Sequence, residues 1–374
     1  MNKTIGIVGG GQLGKMLAEA GHKLGLRIVI LEANENCPAR AVADVFIQGS
    51  FKDKDKILEL AHVSDVVTFE IESANAEALD VLVNEGKEVH PSPQILKIIK
   101  DKFNQKVFLT NHNIPVAEFA IIENEDDAKK QGEIFGYPYL LKARFDAYDG
   151  RGNFVVRNEN DIALAFEKLN SSVLYAEKFV PFVCELAVVS ARDTFGKIIS
   201  YPVVETIHKN NICHIVRSPA PVSNEISRKA KALAEKVLGA LSFVGVCAVE
   251  MFLTESGEVL VNEIAPRVHN SGHHTIEAFN MSQFEAHMRA VAGMHLSDPE
   301  PTCGYAVMVN ILGEREGEAL LGADYIHNEE GANVHIYGKL ETRKERKMGH
   351  ITALADTLSE AEEKALKARG NISI

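Results

Sequence analysis

A glycine-rich turn joins a short apolar strand to a helix near the start of the chain. Residues 4–8 are the apolar run, residues 9–11 are all glycine, and apolar residues between 13 and 24 then recur at helical spacing. A second apolar run at 27–31 completes a β-α-β unit. Further strand candidates follow at 45–47 and 66–69. This order predicts a small, doubly wound parallel sheet in the first part of the chain.

Three different functions could explain the turn, which has the spacing Gly9-x-Gly11-x-x-Gly14. Dinucleotide-binding proteins carry this spacing between a strand and a helix, and Glu32 at the end of the second strand would then hold the ribose of NAD. The glycines could instead serve close packing and positive φ angles. The N–H groups at the start of the helix could also bind the phosphate of another ligand. The motif alone does not decide among these.

Composition restricts the class of protein more than the activity. The chain has 374 residues, of which 46% are hydrophobic and 25% charged, as in ordinary globular proteins. A formal net charge of -12 argues against nucleic acid or an anionic membrane as a partner over the whole surface. The five cysteines are scattered and form no C-x-x-C pair, and no apolar run approaches a membrane span. We therefore expect a cytoplasmic protein.

A lysine and a glycine-rich loop in the next segment favour a nucleotide site. After a boundary at 91–93, we expect one helix over 94–110 and later a strand over 135–143, which carries Lys142 near its end. The loop at 146–152 contains two glycines and an arginine, and its backbone donors could fold over a polyphosphate. Lys142 could instead be a strand-end lysine that reaches water, and the loop could be a plain hairpin turn.

Strands dominate the rest of the chain. Before residue 184 we expect a strand at 154–157, a helix at 161–169 and a strand at 173–179. After it we expect strands at 185–191, 197–204 and 212–216, a helix at 226–241, and a hairpin of 244–253 with 259–264. Pro299 and Pro301 mark a last boundary, before a tail with short strands and a basic cluster.

The strongest chemical signal is a pair of acids inside this hairpin. Glu250 and Glu263 both lie within apolar strands, where a carboxylate is costly unless it is paired or bound to a cation. The turn places Glu250 roughly opposite Asn262 and Glu263. Two carboxylates and an amide oxygen suit Mg²⁺, which completes its shell with water and phosphates. The acids could instead be the outward polar face of a half-exposed hairpin.

A polar segment directly follows the hairpin. Arg267 could stabilise a phosphoryl group during transfer. His269, His273 and His274 could bind zinc, but the two nearby glutamates suit a harder cation.

Together these residues resemble the ATP-grasp superfamily and, more narrowly, the N5-carboxyaminoimidazole ribonucleotide synthase family of purine biosynthesis. Residues 9–14, 148–152 and 265–273 carry the resemblance, which runs from residue 3 to about residue 355. It implies a mixed α/β and α+β architecture with an ATP-grasp fold. The expected parts are a Rossmann-like parallel-sheet domain (1–95), a small ATP-grasp subdomain with the glycine-rich lid (96–180), a large subdomain with the magnesium site (181–300) and a small β-rich domain (301–374).

The resemblance also implies the nucleotide and metal contacts. Lys102 and Lys142 would touch the ATP phosphates, Glu185 the ribose, and His208 would lie near the nucleotide. The lid would consist of Ala147, Tyr148, Asp149, Gly150, Arg151, Gly152 and Asn153. The adenine hinge would be Glu177, Lys178, Phe179 and Val180, through backbone groups and the Glu177 side chain. Glu250 and Glu263 would bind Mg²⁺ with Asn262.

The substrate pocket follows from the same resemblance. Its residues would be Gln12, Leu13, Glu70, Tyr148, Asp149, Arg267, His269, Lys339, Arg346 and Lys347. Among them Arg267, Asp149 and Tyr148, together with Lys142, would be catalytic. Two departures from the family's pattern are Ala147, where glycine is expected, and residues 71–73, which follow Glu70.

The implied activity is carboxylation of 5-aminoimidazole ribonucleotide with ATP, Mg²⁺ and bicarbonate, through carboxyphosphate, by a homodimer. The alternatives are a formate-dependent glycinamide ribonucleotide transformylase, an NAD-dependent oxidoreductase and a non-catalytic nucleotide-binding module. The oxidoreductase alternative leaves the acidic hairpin unexplained.

Overall fold

A computed structural model of the chain describes residues 3–145, 152–170, 173–319 and 331–374. Its first part is a five-stranded, fully parallel sheet in the order β3-β2-β1-β4-β5. The strands are β1 (Thr4–Val8), β2 (Arg27–Glu32), β3 (Val45–Gln48), β4 (Val66–Phe69) and β5 (Glu88–Val89). The helices between them are α1 (Gln12–Lys23), α2 (Lys54–His62) and α3 (Ala76–Asn84). The predicted doubly wound parallel sheet is confirmed.

The central strand β1 is buried on both faces. Ile5 and Ile7 pack in a core that includes Phe284 and Met288 from a distant helix, α10 (Gln283–Val291). Val8 points to the opposite face and packs with the side chains of α2 and α3. Burial on both sides is typical of parallel sheets and explains the continuous apolar sequence of β1.

The single helix predicted over 94–110 is wrong, because two helices meet at Asp101. They are α4 (Pro93–Lys100) and α5 (Lys102–Asn111). The Asp101 carboxylate accepts hydrogen bonds from the N–H groups of Phe103 (3.1 Å) and Asn104 (3.2 Å). Arg144 donates a further bond from Nε to the same carboxylate (3.0 Å). Asp101 therefore acts as the N-cap of α5 and ends α4.

A four-stranded antiparallel sheet follows, in the order β6-β9-β7-β8. The strands are β6 (Phe119–Ile122), β7 (Tyr139–Ala143), β8 (Asn153–Val156) and β9 (Leu174–Lys178), with helices α6 (Glu125–Phe135) and α7 (Asp161–Leu169). The strand predicted from residue 135 starts later, because α6 extends to Phe135 and ends at Gly136, whose φ is +76°. This is a backbone conformation that glycine adopts without strain.

The largest sheet runs in the order β15-β14-β10-β12-β13-β16-β20-β18, with β11 paired to β10. Its strands are β10 (Phe182–Arg192), β11 (Ile198–Ser200), β12 (Val204–Lys209), β13 (Ile212–Ser218), β14 (Gly245–Thr254), β15 (Val259–Ala265), β16 (Tyr305–Leu312), β18 (Ala332–Ile336) and β20 (Lys347–Ala355). A separate two-stranded ribbon joins β17 (Gly317–Glu318) to β19 (Glu341–Thr342). The other helices are α8 (Asn224–Ala240), α9 (Thr275–Ala278) and α11 (Leu358–Gly370).

Two features of this sheet differ from the sequence prediction. The strand expected at 197–204 is divided into β11 and β12, and Pro202, which has no N–H to donate to a ladder, lies between them. The tail beyond residue 301 is also more regular than expected, since β16 and β20 are long strands and α11 packs on them. The four-part division of the chain stays a prediction. None of the helices in the described ranges has the length and apolarity that a membrane span requires.

His287 connects the parallel sheet to the large sheet. Its Nδ1 accepts a hydrogen bond from the N–H of Val246 in β14 (3.1 Å), and its Nε2 lies 2.9 Å from Thr68 Oγ1 in β4. The imidazole is fully buried, and burial lowers its pKa to about 3. The neutral form is therefore the one that the folded state holds.

We expect the Asp101→Ala substitution to lower the free energy of unfolding by about 2–4 kcal/mol, because it removes the cap and leaves the Arg144 guanidinium without its partner. Asp53→Ala is the matched control, since Asp53 caps α2 but is exposed. That change should cost about 0.5–2 kcal/mol. Urea unfolding of both variants measures the difference, and equal losses would contradict a structural role for the Asp101–Arg144 pair.

We also expect His287 to make the protein less stable as the pH falls. Between pH 6.5 and the folded-state pKa near 3, the unfolded chain binds the proton at this position and the folded chain does not, so stability is lost as the pH falls. The stability of the wild type relative to His287→Gln should decline by about 1.4 kcal/mol per pH unit below pH 6. His62→Gln, at an exposed position, is the control. A pH-independent difference for His287→Gln would refute the account.

Candidate active site

Glu250 and Glu263 lie directly opposite each other on the hairpin of β14 and β15. Paired residues of antiparallel strands project from the same face, so the two carboxylates share one side of the ribbon. The register shifts immediately after Glu250, because Met251 pairs with Val261 and Asn262 is the extra residue of a bulge. The prediction that Glu250 faces Asn262 and Glu263 is confirmed.

The two carboxylates are close enough for their negative charges to repel each other. Burial, and then the charge of Glu263, raise the pKa of Glu250 to about 7. Glu250 Oε1 lies 3.6 Å from His269 Nε2, and Glu263 Oε1 lies 3.0 Å from Lys102 Nζ. Two partly exposed acids with an amide beside them are a donor set that fits Mg²⁺. Asn262 and Glu263 line a pocket, so this part of the hairpin is not the outward polar face that the sequence left open.

The contacts of the histidines after the hairpin do not favour the zinc alternative. Within the described parts of the chain, no group of three or more His, Cys, Asp or Glu side chains is placed to hold a metal ion. His273 Nδ1 lies 3.1 Å from Gln283 Nε2, while His269 Nδ1 lies 2.9 Å from Ser271 Oγ. His274 is buried, which lowers its pKa to about 4. These contacts give His269 and His273 separate structural partners.

A small pocket brings the predicted phosphate lysines together with the hairpin. Its lining residues are Lys102, Gln105, Lys106, Lys142, Tyr175, Asn262 and Glu263. Lys102 is the first residue of α5 and is only 18% exposed, so it is not a solvated surface lysine. Lys142 is buried in β7, and so does not reach water as a strand-end lysine would.

Lys106 belongs to this pocket although the sequence analysis did not select it. Its Nζ lies 2.8 Å from Glu177 Oε2, and Lys142 Nζ donates a 2.6 Å hydrogen bond to Glu177 Oε1. Burial alone would raise the pKa of Glu177, but the two ammonium groups outweigh it and lower the pKa to about 2. A sequence signal was available, because Lys102 and Lys106 are four residues apart and share one face of a helix.

The expected adenine hinge needs one correction. The Glu177 carboxylate is turned inward onto the two lysines and is 1% exposed, so it is not available to a nucleobase. Phe179 is exposed, and Lys178 pairs with Glu118 at the surface. The backbone groups from Glu177 to Val180 stay a prediction.

Two further residues that were predicted to contact the nucleotide lie together on adjacent strands. His208 Nδ1 in β12 is 3.1 Å from Glu185 Oε1 in β10. Burial lowers the pKa of His208, but the contact with Glu185 outweighs burial and the pKa is raised. The charge of Glu250 acts on His208 in the same direction, so this pair lies beside the acidic hairpin.

The glycine-rich turn is already bonded to two acids of the chain. The N–H of Gly11 donates to Glu70 Oε1 (2.7 Å), and the N–H of Gly10 donates to Glu32 Oε2 (3.1 Å). Glu32 Oε1 accepts a further bond from the N–H of Ala33 (2.8 Å). Both carboxylate oxygens of Glu32 thus accept hydrogen bonds from backbone N–H groups of the chain itself. This disfavours a role for Glu32 in binding the ribose of NAD.

The start of α1 offers a backbone surface. Gln12 is partly exposed at the first helical position, while the Leu13 side chain is buried in the core. Any ligand contact of Leu13 would therefore use its backbone.

The basic C-terminal residues approach this turn. Burial, and then the charges of Arg346 and Lys347, lower the pKa of Lys339 to about 7, while the charge of Glu70 opposes them. Burial raises the pKa of Glu70 itself to about 7, and Gly11, Arg267 and Lys339 act against it. Lys339 Nζ donates to the carbonyl oxygen of Lys347 (2.6 Å). Arg346 is different, because it is exposed on one side and donates to the carbonyl of Glu341 (2.6 Å).

Arg267 connects the end of β15 to the loop after β4. Its Nη2 lies 2.9 Å from Glu72 Oε1, and its Nη1 donates to the carbonyl of Val268 (3.1 Å). Glu72 lies in the segment that departs from the family's pattern, and its ion pair gives it a definite partner. The charge of Arg267 also lowers the pKa of Glu70, and His269 Nε2 lies 3.6 Å from Glu250 Oε1, so these side chains lie near one another and near the acidic hairpin.

Part of the predicted lid lies outside the described residues, namely Ala147, Tyr148, Asp149, Gly150 and Arg151. Its last two residues are described. Gly152 accepts a hydrogen bond on its carbonyl from the N–H of Ala143 (2.8 Å), and Asn153 begins β8 opposite Lys142.

Three family models match successive parts of the chain. The ribonucleotide synthetase preATP-grasp domain matches residues 1–100, and the ATP-grasp domain matches residues 107–284. The phosphoribosylaminoimidazole carboxylase C-terminal domain matches residues 306–364.

Individual proteins match nearly the whole chain. A phosphoribosylaminoimidazole carboxylase of Ogataea methanolica is 44% identical over 374 residues, which cover 96% of this chain and 68% of that protein. The N5-carboxyaminoimidazole ribonucleotide synthetase of Thermotoga maritima is 42% identical, with a TM-score of 0.90 and 99% of both chains covered. An Aspergillus clavatus N5-carboxyaminoimidazole synthase in complex with ADP and 5-aminoimidazole ribonucleotide is 37% identical, with a TM-score of 0.90 and 98% of both chains covered. The protein thus has the predicted ATP-grasp fold, with an N-terminal parallel sheet and a β-rich C-terminal part, and it belongs to the N5-carboxyaminoimidazole ribonucleotide synthase family.

Proposed function

We propose that this protein uses ATP and bicarbonate to carboxylate the amine of 5-aminoimidazole ribonucleotide, which gives N5-carboxyaminoimidazole ribonucleotide, ADP and phosphate. The observation that carries the proposal is one pocket that Lys102, Lys142 and Glu263 line together, with Glu250 directly opposite Glu263 on the hairpin. Acids for a hard cation and ammonium groups for phosphates are the two components that phosphoryl transfer from ATP requires. The Aspergillus clavatus relative, described with ADP and 5-aminoimidazole ribonucleotide, supports the same pair of ligands.

The phosphate chain of ATP would lie between the lysines and the hairpin. Lys142 and Lys102 would bind phosphate oxygens, and Glu250 and Glu263, with Asn262 beside them, would hold Mg²⁺. When bound, Mg²⁺ would offset the negative charge of the phosphate oxygens. The ion pair between Lys102 and Glu263 keeps both groups at the mouth of the pocket before the nucleotide arrives.

Bicarbonate would attack the γ-phosphorus of ATP and form carboxyphosphate, with ADP as the leaving group. Arg267 would stabilise the charge on the transferring phosphoryl group. The amine of the second substrate would then attack the carboxyl carbon and release phosphate. Asp149, or that phosphate, would take the amine proton. The lid, including Tyr148, would exclude water, because carboxyphosphate is short-lived in it.

The aminoimidazole ribonucleotide would bind between the glycine-rich turn and the C-terminal basic residues. Glu70, Gln12, His269 and the backbone of Leu13 would contact the base and ribose. A separate group of cations, Lys339, Arg346 and Lys347, would hold the 5′-phosphate. Lys339 is largely buried and lies near the cations Arg346 and Lys347, which supports a subsite that binds an anion at this position.

Assembly and location are also part of the proposal. We infer a homodimer in the cytoplasm, as the resemblance to the family implies. The five cysteines are scattered and form no C-x-x-C pair, which fits a reducing compartment.

Measurement of ADP release with defined substrates tests the proposed function. Release should depend on Mg²⁺ and should increase strongly when bicarbonate and 5-aminoimidazole ribonucleotide are present together. Stimulation by formate and glycinamide ribonucleotide instead would assign the transformylase activity. Tight NADH binding without ATP binding would point to an oxidoreductase, and absence of turnover with every pair would leave a binding module.

We expect the Glu263→Gln substitution to lower Mg²⁺-dependent ADP formation by roughly 100-fold or more, because the amide keeps the shape but loses the charge that binds the cation. Glu258→Gln is the matched control, since Glu258 is exposed in the turn of the same hairpin. Its turnover should match the wild type. Near-normal turnover of Glu263→Gln, with the circular dichroism spectrum of a folded protein, would refute the metal assignment.

A further inference from the structure

Three buried charges lie on the floor of the phosphate pocket. The side chains of Lys106, Glu177 and Lys142 are 3%, 1% and 9% exposed. One carboxylate serves both ammonium groups, with Oε2 2.8 Å from Lys106 and Oε1 2.6 Å from Lys142. Such burial is costly for a charge without a partner, and here two cations share one anion.

The sharing leaves this trio with one net positive charge. The other ion pair of the pocket, Lys102 with Glu263, is neutral as a unit. The excess charge therefore depends on Lys106: without it, Glu177 and Lys142 would form a second neutral pair. The very low pKa of the Glu177 carboxyl fits a group that two cations hold in the ionised form.

We infer that Lys106 is a positioning residue that acts through Glu177, so that the Lys142 ammonium remains an effective cation for the phosphates of a nucleotide. This inference rests on the proposed use of ATP. Lys106 contacts the second carboxylate oxygen of Glu177 and offsets part of its negative charge. Lys142, held at a fixed place by the first oxygen, is then not fully neutralised. In a site of low polarity, a single uncompensated charge has a large effect on an anionic ligand.

A packing role for Lys106 predicts a different outcome. The aliphatic stem of Lys106 lies in the buried face of α5, beside Gln105 and Leu109. If the stem alone mattered, methionine would replace lysine with little change in ligand binding. Any damage would also be the same for charged and uncharged ligands.

Binding of ATP, ADP and adenosine to four proteins tests the inference, in the presence of Mg²⁺ and by calorimetry. The proteins are the wild type, Lys106→Met, Glu177→Gln and the double variant Lys106→Met/Glu177→Gln. Lys106→Met should weaken ATP binding about tenfold, ADP binding less, and adenosine binding not at all. The double variant removes one charge of each sign and restores the net positive charge, so its ATP affinity should recover to within about threefold of the wild type.

Additive loss in the double variant would overturn the inference, and so would an equal loss for adenosine and ATP. Lys106→Arg is a control for variants that fail to fold, because it keeps the positive charge. It should bind ATP nearly as the wild type does. A loss of ATP affinity as large as that of Lys106→Met would also overturn the inference. A wild type that binds no ATP would overturn the proposed function itself, which distinguishes the two failures.

Discussion

The opposition of Glu250 and Glu263 across one β-ribbon is the constraint on which the rest of the site depends. Two carboxylates on one face of a hairpin repel each other, and the pKa of Glu250 near 7, which burial and this neighbour produce, expresses that cost. The other face of the same hairpin supplies the compensating stability, because Val249, Met251 and Val261 are buried in a core cluster. A shift of one residue in register would bury the acids and expose this core. The register therefore determines both folding and chemistry.

Around the acids, the protein balances most of its buried charges with partners from distant parts of the chain. Lys102 forms an ion pair with Glu263, Arg267 with Glu72, and His208 with Glu185. Two places depart from simple pairing. The carboxylate of Glu177, shared by Lys106 and Lys142, leaves an excess of positive charge at the lysine pocket. Glu70 and Lys339 lie close enough to influence each other's pKa, and both have values near 7. These are the places where anionic ligands would complete the balance.

Features that depend on short stretches of sequence could be predicted. The parallel sheet followed from apolar strands that alternate with a helical pattern, and the approximate opposition of Glu250 to Asn262 and Glu263 followed from the turn between their strands. The bulge at Asn262, which sets the register, was not predicted. The site residues that carry a family motif, such as Arg267, could be named for the same reason. Their roles came from resemblance and not from spacing.

Features that depend on distant partners could not be predicted. The break between α4 and α5 at Asp101 is supported by Arg144, which is far along the chain. The inward turn of Glu177 requires Lys106 from another helix, and nothing near Glu177 in the sequence indicates it. Strand β16 pairs with β13, so the C-terminal strands belong to the large sheet. This pairing crosses the boundary that was predicted from Pro299 and Pro301.

A crystal structure of the protein with ADP and Mn²⁺ tests the central claim most directly, because Mn²⁺ replaces Mg²⁺ and gives an anomalous signal. The account predicts an anomalous peak between the carboxylates of Glu250 and Glu263, with oxygen atoms of both at about 2.0–2.3 Å from the ion. A peak elsewhere, while ADP occupies the pocket and neither carboxylate contacts the metal, would contradict it.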